Sequence, residues 1–113
     1  MSNNVWIKSG KVYNLFPDPG VTSTSTGNGV YKDSPFATFQ ATVIGTGTVT
    51  ATVQIQCSND GTNWCSTVLG TITLSGTTSS ADGFTTQAPW KFVRAVVTAI
   101  SGTGATVQVL MGV

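Results

Sequence analysis

The chain has 113 residues, 40% of them hydrophobic and only 8% charged, with five Lys or Arg, four Asp and no His. That length suits one domain and is too short for two independent cores. The net charge of +1, with its basic residues scattered, offers no stripe to neutralise a run of phosphates, so nucleic acid is not an expected partner. No stretch reaches the eighteen or so apolar residues of a membrane-spanning helix, and the polar start MSNNVWIKSG does not read as a signal peptide. Neither a membrane partner nor export is therefore expected.

Residues 1–35 form the first expected unit. NVWIK and KVYNLF, joined by Ser9-Gly10, can make a small hairpin, after which PDPGVTSTSTGNGVYKDSP runs with little periodicity and at a length unusual for a connection. Trp6, Ile7, Val12, Tyr13, Leu15 and Phe16 are too apolar for a solvated tail. They read as an arm or edge hairpin that needs a cover and that protects a sheet edge. One more strand pair of the same sandwich is the alternative.

Residues 36–113 form the expected β-sandwich core. FATFQATVI (36–44) alternates through Phe39, Ala41 and Val43, and TVTATVQIQC (48–57) places Val49, Ala51, Val53, Ile55 and Cys57 on one face. Gly45-Thr46-Gly47 between them predicts a hairpin turn that pairs the two segments. CSNDGTNWC follows, with Ser, Asn, Asp and Gly suited to a loop. TVLGTITLS (67–75) puts Ile72 and Leu74 on one face, SGTTSSADG reads as a loop, and FTTQA leads to Pro89. WKFVRAVVTAI (90–100) is apolar on both faces, as for a central strand covered on each side, and SGTGA turns the chain into TVQVLMGV with Val107, Val109, Met111 and Val113 aligned. GTGTVTATVQI and GTGATVQVLM echo each other. Two hairpins that each need glycine account for this, with a duplicated hairpin as the alternative.

Helix-forming periodicity is absent, and Thr and Val stand where helix formers would be needed. The expected fold is all-β, an antiparallel sandwich or jelly roll with an N-terminal hairpin or arm.

Chemistry has little to work with. Without His there is no imidazole base, and Asp18, Asp33, Asp60 and Asp82 all fall in predicted loops. No catalytic residue, cofactor or metal is expected, since two thiols and one nearby carboxylate do not complete a zinc or calcium site. Cys57 and Cys65 can face each other across their loop, as two free thiols or as a disulfide. Trp64 with Asn59, Asp60 and Asn63 is a candidate ligand loop, an aromatic ring over the sandwich end being the plainer role for Trp64.

ATVQIQCSNDGTNW, LGTITLSGTTSSADGF and APWKFVRAVVTAISGTGATVQVLMGV together resemble a group of small virion proteins of tailed bacteriophages, over residues 50–113. The resemblance implies a non-enzymatic structural protein, made in the host cytoplasm and carried on the capsid surface as a decoration or cement protein. Its implied partners are the major capsid protein and itself, as a homodimer or homotrimer. Apolar anchors for such contacts are Trp6, Ile7, Tyr13 and Phe16 in the arm, with Tyr31 and Phe36 beside the long loop. The alternative role is a carbohydrate- or receptor-binding module of a tail or fibre, working through Asn59, Asp60, Asn63 and Trp64. Cysteines at 57 and 65 depart from the group's pattern.

Overall fold

Three strands of unusual length carry the structure: β4 (Phe36–Ser58), β5 (Gly70–Gln87) and β6 (Phe92–Gly112). The computed structural model describes residues 11–113, so Trp6 and Ile7 lie outside the described residues. Three short strands precede the long ones, β1 (Val12–Asn14), β2 (Ser25–Thr26) and β3 (Val30–Tyr31). All pairing is antiparallel, in the order β1-β6-β4-β5, with β2 and β3 also on β6.

A straight strand of β4's length would span about 76 Å at ~3.3 Å per residue. The longest dimension of the described residues is 39 Å, so the long strands must fold over at mid-length. The bends lie at Gly45–Gly47 in β4, at Thr78 in β5 and at Gly102–Gly104 in β6, where Gly47, Thr78 and Gly104 have φ of 73°, 63° and 65°. Register shifts in the β4 pairing mark the same places, between Ile44 and Thr48 and between Ile44 and Thr50.

Folding divides the sheet into two layers. The first contains β1 and the segments 36–44, 79–87 and 106–112; the second contains β2, β3 and the segments 48–58, 70–77 and 92–101. Odd-numbered residues of β4 face inward in both: Phe39, Ala41 and Val43, then Val49, Ala51, Val53 and Ile55, all at most 2% exposed. Val93, Ala95, Val97, Val107, Val109 and Met111 complete the core from β6, with Ile72 and Leu74 from β5. Phe84 of the first layer stacks on Phe39, centroids 5.4 Å apart, and lies over Gly70 of the second, where only a residue without Cβ leaves room for the ring. The protein is thus an antiparallel all-β sandwich with an open sheet.

Several expectations change. Segments 36–44 and 48–57 do not pair with each other; they are two halves of one bent strand, each flanked by β5 and β6. SGTTSSADG and SGTGA are strand bends rather than loop and hairpin turn. The GTG echo arises because the bends of β4 and β6 are neighbours, with Thr46 opposite Thr103. Residues 92–97 bury only the inner face through Val93, Ala95 and Val97, whereas Phe92, Arg94 and Val96 are half-buried.

The segment after β1 is not irregular in its contacts. Leu15 N–H donates to Val109 O at 2.8 Å, Val21 and Val107 exchange two bonds of 2.8 Å, and Gly27 N–H donates to Ala95 O at 2.8 Å. Residues 11–31 thereby cover the outer edge of β6, as an arm protecting an edge should. Leu15 and Phe16 insert into the core at 3% and 2% exposure.

Candidate functional site

Two regions remain once the core is assigned: the loop after β4 and the outward face of the first layer. In the loop, Ser58 is fully buried and its hydroxyl is the organising atom. It accepts N–H bonds from Asp60 at 3.2 Å and Gly61 at 3.0 Å, and lies 2.8 Å from Asn63 O and 2.9 Å from Asp60 Oδ1, one proton serving two acceptors. Asp60 Oδ1 accepts from Thr62 N–H at 2.9 Å and Asn63 N–H at 2.8 Å, and Oδ2 accepts from Asn63 Nδ2 at 2.9 Å. The Asn63 side chain and the Asn63 and Thr62 amides, with Ser58, hold the Asp60 carboxyl well below the usual carboxylate range. Asn59 Oδ1 accepts from Lys91 N–H at 3.2 Å, tying the loop to the start of β6.

Trp64 is likewise occupied. The Arg94 guanidinium sits 4.3 Å from its ring centroid, and Arg94 Nε donates to Gln56 Oε1 at 2.7 Å. The ring also lies so close to Gly29 that a Cβ there would stand 2.9 Å from Cζ2. Asn59, Asp60, Asn63 and Trp64 therefore share one loop, and each has a partner within the protein.

Cys57 and Cys65 are free thiols, the first buried and the second half-buried. Cys65 N–H donates to Cys57 O at 3.0 Å. Burial first, then the adjacent Cys65 thiol, pushes the Cys57 thiol up to about 11. Among the described residues, no three side chains of His, Cys, Asp or Glu gather as a metal site.

No family model, curated protein or solved structure matches the chain. Geometry and sequence pattern therefore carry the functional reading.

The outward face of the first layer follows from the register, because residues directly opposite each other share a face. β4 contributes Phe36, Thr38, Gln40, Thr42 and Ile44; opposite them stand Gln87, Thr85, Gly83, Ala81 and Ser79 of β5. Across β6 lie Gly112, Leu110, Gln108 and Thr106, with Val12 and Asn14 of β1 beyond. Not one of these sixteen residues is ionisable. Val12, Phe36 and Ile44 are 66%, 55% and 59% exposed. Beside Ile44, Pro19, Thr42, Thr106 and Gln108 line a shallow depression of about 440 Å³. Gln108 Oε1 accepts from Phe16 N–H at 3.3 Å and Val109 N–H at 2.9 Å, while its Nε2 has no acceptor among the described residues.

Among the described residues, the anchors named from sequence, Tyr13, Phe16, Tyr31 and Phe36, do not form one edge. Phe36 belongs to the uncharged face. Tyr13 lies opposite Met111 at the rim, and Tyr31 stands on the second layer, edge-on to Phe92 at 5.4 Å. Phe16 cannot meet a partner, because its ring is spent in the core. The uncharged face was missed as a unit. Its signal was the even-numbered set of 36–44 and 106–112, visible only once those segments are known to be neighbours.

Proposed function

We propose that the protein is a non-enzymatic structural protein of a bacteriophage virion, a decoration or cement protein that binds the major capsid protein lattice and stabilises the head. The observation that carries this reading is the uncharged outer face of the first layer. Burying it strands no charge, so the desolvation cost of docking is low. Its backbone is pre-ordered by two-layer packing, which limits the entropy lost on association. Four strands at ~4.8 Å spacing and about nine residues of ~3.3 Å give roughly 570 Å² in projection. One partner in a standard interface contributes ~800 Å² of accessible surface, so this face and its rim are of suitable size. Phe36, Ile44 and Val12 supply apolar anchors.

The resemblance of residues 50–113 to small virion proteins supports the same reading. Since capsid sites occur in symmetric sets, the protein is expected to sit as a homodimer or homotrimer on a local axis. The tail or fibre alternative, gripping a sugar through Asn59, Asp60, Asn63 and Trp64, draws on side chains that already bond one another or are covered by Arg94 and Gly29.

Co-sedimentation with purified undecorated heads tests the proposal. Wild-type protein should saturate the heads, and the exposed-face substitutions Phe36→Asp with Ile44→Asp should weaken attachment by at least about tenfold, because each buries an unpaired charge. Unchanged attachment by this double variant, or glycan binding abolished by Trp64→Ala, would remove the uncharged face from the account. Deleting the arm is the poorer experiment, since Leu15 and Phe16 belong to the core.

A further inference from the structure

Cys57 and Cys65 stand at the two ends of the loop that Ser58 and Asp60 organise, and neither is used by the docking face. The 3.0 Å bond from Cys65 N–H to Cys57 O closes the loop and brings the two residues' backbones together. A direct backbone bond keeps the two Cα atoms close, compatible with the ~4.4–6.8 Å range that a disulfide spans. The two side chains line one solvent-open depression of about 490 Å³, together with Thr67, Leu69 and Trp90. We infer that this pair is a thiol-oxidation site, at which a small-molecule disulfide installs an intramolecular Cys57–Cys65 bond that staples the loop.

Exposure sets the order of events. Cys65 is half-buried and meets the reagent first, whereas Cys57 is only 2% exposed. The Cys65 thiolate attacks one sulfur of the reagent, the S–S bond breaks, and one small thiol leaves after taking up a proton. Cys57 then gives its proton to solvent and attacks the Cys65 sulfur of the mixed disulfide, releasing the second small thiol. The two protein thiols are oxidised by two electrons and the small-molecule disulfide is reduced to two thiols. The new bond closes a nine-residue ring and restricts the unfolded chain, so the thermal midpoint should rise by about 5 °C or more. It also fixes the end of the loop that carries Trp64, whose ring packs against Arg94.

The test uses the full chain incubated with excess oxidised glutathione in neutral, non-denaturing buffer. Thiols counted after denaturation should fall from the two the sequence contains to none. The intact mass should drop by two hydrogens with no glutathione retained. Cleavage on the N-terminal side of Asp60 should leave two fragments joined until dithiothreitol is added, and the midpoint should rise and return on reduction. Cys65→Ser, which leaves the buried thiol in place, should show no rise. A lasting glutathione adduct on Cys65 with Cys57 unreacted, a bond between chains, or an oxidised chain that melts no higher than the reduced one would each overturn the inference.

Discussion

Gly70→Ala places a methyl where the Phe84 ring already lies. A Cβ at residue 70 would stand 2.5 Å from Cζ, 2.8 Å from Cε1 and 2.9 Å from Cε2 of that ring. Retreat toward the core is blocked by Phe39, 1% exposed, at a centroid distance of 5.4 Å. Overpacking of this kind costs about 1–3 kcal/mol, offset by about 0.5–1 kcal/mol from replacing glycine in a strand. A net loss of about 1–2 kcal/mol is expected. In a Phe84→Ala background the same methyl enters vacated space, and Gly70→Ala should become neutral or slightly stabilising. Urea unfolding of the four proteins in this cycle should give a coupling of about 2 kcal/mol, well above the ~0.5 kcal/mol scatter of independent sites. Residues 70 and 84 would lie about 46 Å apart in a straight strand. Additive effects would refute the folding of β5 onto itself, and with it the two-layer core.

Two further outcomes follow from the loop after β4. Ser58→Ala removes the acceptor for the Asp60 and Gly61 amides and should cost about 1–3 kcal/mol in unfolding free energy, with faster hydrogen exchange at those amides than in wild type. Cys57 has its folded value raised from 9.0 to about 11, so between those values the unfolded chain has released a proton that the native chain keeps. Stability from this group is fully present below pH 9 and is lost as pH rises toward 11. Lys32 is held below its usual 10.5, by burial first and Lys91 second, which gives a slope of opposite sign just below that value. Comparing the urea midpoints of wild type and Cys57→Ala across this range isolates the cysteine: the variant should lose less stability than wild type.

The inward faces of the long strands were legible in the sequence because each is a pure period-two pattern: Phe39 to Val43, Val49 to Cys57, Ile72 with Leu74, and Val107 to Met111. Chain reversals were not. A Gly-Thr-Gly with φ of 73° at Gly47 suits a tight hairpin and a bend within one strand equally. What decides between them is which distant segments flank it, a non-local fact. Residues 75–83 read as a loop because an edge strand with both faces wet shows no alternation. The segment 17–31 gave no signal for a related reason: backbone bonds to β6 position it, and such bonds leave no mark on side-chain pattern. In the candidate loop, SNDGTN announced a turn, but the hydroxyl of Ser58 as its hub required coordinates. Phe16 shows the opposite failure, an apolar residue read as a surface anchor that folding placed in the core.

The proposed role is tested most directly by quantitative mass spectrometry of intact phage particles purified from lysates in which the chain is produced. A capsid-surface protein bound at every equivalent lattice site should be present at on the order of hundreds of copies per particle, in a fixed ratio to the major capsid protein. A handful of copies would assign it to the tail, and its absence from purified particles would contradict the virion role altogether.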